Sequence, residues 1–143
     1  MTDTIKTTLF RIVLFLFIIS DLLSGGKMKN VELVVLNEIT PQTETIELQM
    51  TNHTGRYIDK DRLFHLEKRE GDQWISVPWY EPIEETSSHM APGHVSTQSI
   101  PIVRMFERYL EPGDYRIFKI YHPMNMALPE YTCYAYFTVQ SVE

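Results

Sequence analysis

Hydrophobic residues in this chain recur mostly at every second position, in short runs separated by polar turns. Thr43–Met50 shows the pattern most plainly. Ile46, Leu48 and Met50 fall on one face and Thr45, Glu47 and Gln49 on the other, the period of a strand with one buried side. Val31–Leu36 is a short apolar run suited to a strand before it. Thr51–Gly55 reads as the turn after it; Asn52-His53-Thr54 also spells an N-glycosylation acceptor, and we read Asn52 as a loop residue. Leu63–Arg69 places Phe64 and Leu66 on one face, and Glu70–Gln73 turns it into Trp74–Pro78, a hairpin closed by a proline that ends pairing or marks an edge. Trp79–Gly93 sustains no period and reads as one long loop. Val95–Val103 resumes as a strand, interrupted by Pro101. Arg104–Tyr109 is too short for an independent helix and reads as one turn crossing to the next strand. A strand from Tyr115, a loop over His122–Glu130 and a closing strand Tyr131–Val139 complete about seven strands and an all-β class.

The opening segment has a different pattern. Lys6 and Arg11 precede Ile12–Ile19, which is apolar on every face, and the small residues Ser24-Gly25-Gly26 follow Leu22-Leu23. A basic start, a short apolar core and small residues are the parts of a secretory signal, with cleavage expected before Lys27. The alternative is an uncleaved membrane anchor, since Asp21 and Leu22-Leu23 make a poor cleavage region. The expected division is therefore 1–26 as signal peptide or anchor helix and 27–143 as one domain, exported or membrane-anchored.

Leu110-Glu111-Pro112-Gly113-Asp114-Tyr115 stands directly before the strand densest in strand formers. Pro112 and Gly113 supply the turn. The sequence resembles the tyrosine corner of Greek-key β-sandwiches, in which a Tyr hydrogen-bonds back to the chain. Together with Thr51-Asn52-His53-Thr54, Leu66-Glu67-Lys68, Trp74, Val77-Pro78 and Lys119, it makes Val31 to Val139 similar to a bacterial Ig-like domain family. The resemblance implies an immunoglobulin-like Greek-key sandwich in an exported protein, with Trp74 covering a sheet, Gly113 making the turn and Tyr115 locking the corner. It carries no catalytic residue set. One conflict attends it: if Tyr115 and Ile117 point inward, alternation sends Lys119 inward too, unless a bulge near Phe118 or Lys119, or a second buried face, intervenes.

The formal net charge is −6 and does not change when residues 1–26 are removed, because Lys6 and Arg11 leave with Asp3 and Asp21. No basic excess exists to displace counterions, so nucleic acid is not an expected partner. Cys133 is the single cysteine, which excludes an internal disulfide, and its setting marks it as a small buried residue of the last strand. His53, His65, His89, His94 and His122 show no zinc-site spacing; His89 and His94 share the long loop with Glu84 and Glu85, which we read as solvated. The Asp59-x-Asp61 pair lacks the other ligands of a calcium loop, and the serines at 87, 88, 96 and 99 lack a nucleophile elbow. We therefore expect no enzyme, no metal and no cofactor. Trp79 and Tyr80 are suited to stacking on a sugar or anchoring a protein, against the plainer use of Trp79 as a plug for the open end of the sandwich. Tyr134 and Tyr136 lie opposite Cys133, Ala135 and Phe137, as a surface pair or ordinary sheet-face packing. The expected role is binding or structural support at a bacterial envelope, with a protein or glycan as partner. A carbohydrate-binding module using Trp79 and Tyr80 is the alternative.

Overall fold

The computed structural model describes residues 30–80 and 87–141. The apolar leader and Glu84 and Glu85 lie outside the described residues. Among those residues, β1 (Val31–Val35), β2 (Thr45–Asn52) and β7 (Val95–Pro101) form a small antiparallel sheet in the order β1-β2-β7. The larger sheet holds β3 (Ile58–Asp61), β4 (His65–Glu70), β5 (Gln73–Val77), β6 (Ser87–Met90), β8 (Gly113–Pro123) and β9 (Tyr131–Val139). Its spine is β8. One edge pairs with β4 through Tyr115–Phe118 and then with β3 through Tyr121–Pro123, while the other pairs with β9 from Gly113 to Tyr121. Beyond β3 lies β6, and beyond β4 lies β5. A parallel bridge from Ile39 to Val139 and a bond from the Gln140 amide to the Ile39 carbonyl draw the two sheets together on one side.

The inward faces supply the core. Ile46, Leu48 and Met50 of β2 and Ile100 of β7 are each at most 3% exposed, and they share one cluster with Leu66, Tyr115, Ile117, Cys133 and Ala135 of the larger sheet. A single helical turn, α1 (Ile102–Phe106), buries Ile102, Met105 and Phe106, and ends where Glu107 takes a left-handed φ of 60°. Phe106 meets Phe64 edge-on at 6.3 Å, and Trp79 meets Phe64 at 5.6 Å. These rings pack together beside α1.

Three expectations change. The strands number nine among the described residues rather than about seven. The additions are β3 and β6, and β6 falls inside the stretch read as a loop from Trp79 to Gly93. Ser87, Ser88 and His89 are all exposed, so this edge strand carries no hydrophobic period to announce it. The conflict in the Tyr115 strand is settled without a bulge: β8 pairs continuously with β9, and Tyr115, Ile117, Lys119 and Tyr121 are all buried. Asn52 is no loop residue. It ends β2 and is fully buried.

Candidate binding face

Because β8 alternates strictly, Arg116, Phe118, Ile120 and His122 project from the outer face of the larger sheet. Register then sets their neighbours. Arg116 lies between Glu67 of β4 and Tyr136 of β9, and Phe118 lies between His65 and Tyr134. The Arg116 Nε donates to Glu67 Oε1 at 2.7 Å. Its guanidinium reaches on to Trp74 of β5, with Cζ 4.5 Å from that ring centroid and 4.8 Å from that of Tyr134. Burial works against this charge, but Glu67 and the Tyr136 hydroxyl outweigh it and hold the group firmly protonated. A cation caught between two rings is attracted to both faces.

The rings continue along the face. Trp74 meets Tyr136 at 5.9 Å, Tyr136 meets Tyr134 at 6.1 Å, and Tyr134 meets Phe118 at 5.6 Å. Phe118 stacks on His65 at 4.6 Å with 16° between planes, and His65 meets Trp79 at 5.4 Å. At that distance and angle His65 and Phe118 lie face to face, both half-buried. Tyr134 is 41% exposed and Tyr136 63%. The result is a ridge of aromatic rings around one arginine held between Trp74 and Tyr134.

The residues singled out from the sequence thus separate. Tyr134, Tyr136 and Trp74 come together, joined by Arg116, which alternation alone places on the outer face, and by Glu67, whose contribution depends on a strand pairing that no local pattern reveals. Trp79 is half-buried against Phe64 and His65. Tyr80 is exposed, and its amide is fixed on the Met105 carbonyl. Tyr115 is buried and its hydroxyl donates to the Glu111 carbonyl, four residues back, at 2.8 Å. Pro112 precedes Gly113, whose φ of +150° is rare for L side chains and whose added Cβ would sit 3.0 Å from Lys68 Cε.

Other chemistry is scattered. His89 bonds Asp59 across β6 and β3 instead of meeting His94, and His122 Nδ1 lies 3.8 Å from the same carboxylate. Burial works to raise the Asp59 pKa, yet the Asn125 amide, His89 and His122 bring it below its ordinary value. Among the described residues no three His, Cys, Asp or Glu side chains converge as a cation site. Burial pushes the Cys133 thiol up to about 11, so it is protonated at neutral pH and a poor nucleophile.

A family model described as a bacterial Ig-like domain matches residues 27–138. No curated protein matches the chain. Among solved structures, the ASH/PapD-like domain of human CEP192 (PapD-like domain 7) is similar, at 17% identity and a TM-score of 0.42, covering 80% of this chain and 87% of that one. Among the described residues no helix is long and apolar enough to cross a membrane.

Proposed function

The chain belongs to the bacterial Ig-like domain family, and we propose that it is a non-catalytic binding domain of the bacterial envelope that engages a protein partner through the outer face of its larger sheet. Residues 1–26 export it in this reading, as a cleaved signal or a retained anchor, and residues 27–143 are the binding domain. The observation that carries the reading is the cluster of Trp74, Arg116, Tyr134 and Tyr136. Trp, Tyr and Arg dominate the energetics of protein interfaces. Here the Arg is already ordered by Glu67 and two rings, so docking forfeits little side-chain entropy. The alternative sugar platform of Trp79 and Tyr80 has less to stand on, because the Trp79 ring packs on Phe64 and His65.

Retrieval of envelope material with the tagged chain, beside a Tyr134→Ala, Tyr136→Ala double variant and a Trp79→Ala, Tyr80→Ala double variant, tests the choice. A protein bound by the parent chain should fall at least about tenfold in the first variant and persist in the second. Glycan retrieval lost only in the second variant would sink the ridge as the binding surface and restore the sugar platform.

A further inference from the structure

A second surface lies at the end of the sandwich where the β2–β3 turn meets the end of β8 and the start of β9. A cleft of about 370 Å³ opens there, lined by Tyr57, Tyr121, Tyr131, Arg56, Thr54 and Asn30, with Ile58 in its wall. That volume falls within the range of small-molecule sites, about 300–1,000 Å³. Tyr57 is 54% exposed and Tyr131 47%. Tyr121 is buried, stacks on Tyr131 at 5.4 Å and has its hydroxyl held by the Val31 backbone.

The cleft is firmly built. Asn52, fully buried, donates to the carbonyls of Arg56, Met90 and Ala91, and its Oδ1 accepts from the amide and the hydroxyl of Thr54. The turn carrying Arg56 and Tyr57 is thereby tied both to itself and to the β6–β7 connection. Among the described residues Arg56 is the single charged one of the lining, and no described carboxylate pairs with it. In a chain of net charge −6, an arginine with no described carboxylate partner, in a cleft lined by three tyrosines, suits an anion with an apolar face.

We propose that this cleft binds a carboxylate-bearing saccharide, with Arg56 taking the carboxylate and the tyrosine rings the C–H face of the pyranose. A guanidinium fork matches a carboxylate with two parallel bonds. Asn30 is the lining residue left for sugar hydroxyls, since the Thr54 hydroxyl is committed to Asn52 and the Arg56 backbone. The proposal is independent of the aromatic ridge, which lies on other residues.

Titration of the isotope-labelled full chain with tri-galacturonate, followed by amide NMR, tests it. Galactotriose, the neutral counterpart, runs as control. The expected result is saturable movement of the Thr54–Ile58 and Tyr131 signals with tri-galacturonate, at least about tenfold weaker in Arg56→Gln and with the neutral sugar. Tyr57→Ala should weaken both sugars. Arg56 and Tyr57 are exposed, and undisturbed signals from the β8–β9 pair would show that the variants fold. Absence of movement in the parent chain at millimolar probe overturns the site. Equal affinity for the two sugars, or an Arg56→Gln variant that binds like the parent, overturns the carboxylate assignment.

Discussion

At the scale of the residue, Asn52 shows how much one buried amide can decide. Its Nδ2 meets three carbonyls at 2.7, 3.1 and 3.1 Å, and its Oδ1 takes two bonds from Thr54, so no part of the side chain is left for solvent or a glycan. The Asn-His-Thr spelling that resembles a modification site is the local signature of an Asx turn, with Thr54 bonding back two residues. Asn52→Ala leaves the Thr54 amide without its acceptor and loosens the turn that presents Arg56. We expect a loss of about 3 kcal/mol, from several net bonds of about 1 kcal/mol each. Urea unfolding of parent and variant measures it, and a loss under about 1 kcal/mol would show that water replaces the amide. Thr54→Val, which keeps the shape and removes the hydroxyl, should cost less, because the Thr54 amide still bonds Asn52.

At the scale of the element, β8 shows what a sequence can and cannot convey. Its alternation was legible, and it placed Tyr115 and Ile117 inward correctly; so were β2 and the β4–β5 hairpin, whose turn puts Gly71 at a φ of 62°. What alternation cannot supply is the reason a Lys stands at an inward position, because Gln98, its partner, lies on another sheet. Short edge strands escaped as well, since β6 needs only backbone pairing to β3 and the Asp59–His89 contact. The same division holds for the ridge. Tyr134, Tyr136 and Trp74 were conspicuous one by one, but their union depends on Arg116 crossing β4 between Glu67 and Trp74. Arg116→Ala removes the cation from two rings and leaves Glu67, whose side chain is 18% exposed, without its partner. A destabilisation of about 2 kcal/mol is expected in urea unfolding, with altered Trp74 near-ultraviolet dichroism. Arg116→Lys keeps the charge but not the planar stack and should fall between the two. A parent-like Arg116→Ala protein would mean that the rings pack as well without the cation.

At the scale of the molecule, the two sheets are joined by an apolar core that a polar seam interrupts between Ile117 and Tyr121. Lys119 of β8 crosses to Gln98 Oε1 of β7 at 2.9 Å, and Lys60 of β3 reaches Ser96 Oγ of the same strand at 2.6 Å. Lys119 is 3% exposed; burial first, and then the nearby Lys60 charge, push its pKa down from 10.5 to about 8. Below pH 8 the ammonium is protonated in both states, and the folded protein carries the full cost of burying it. Between about 8 and 10.5 the unfolded chain holds the proton that the folded chain has released, so this group makes stability rise with pH. The downward shift corresponds to a cost on the order of 3 kcal/mol at neutral pH. Lys119→Met fills the position without a charge and should be more stable than the parent at pH 7, with the advantage shrinking as pH climbs past 8. Cys133 acts in the opposite direction above pH 9, because its thiol ionises in the unfolded chain before it does at about 11 in the fold. Both proteins retain it, so to first order it cancels from the difference between them. Paired urea unfolding curves at pH 7 and pH 9.5 decide the matter. A variant less stable than the parent by the same amount at both values would show that the Lys119–Gln98 bond holds the sheets together at no electrostatic cost.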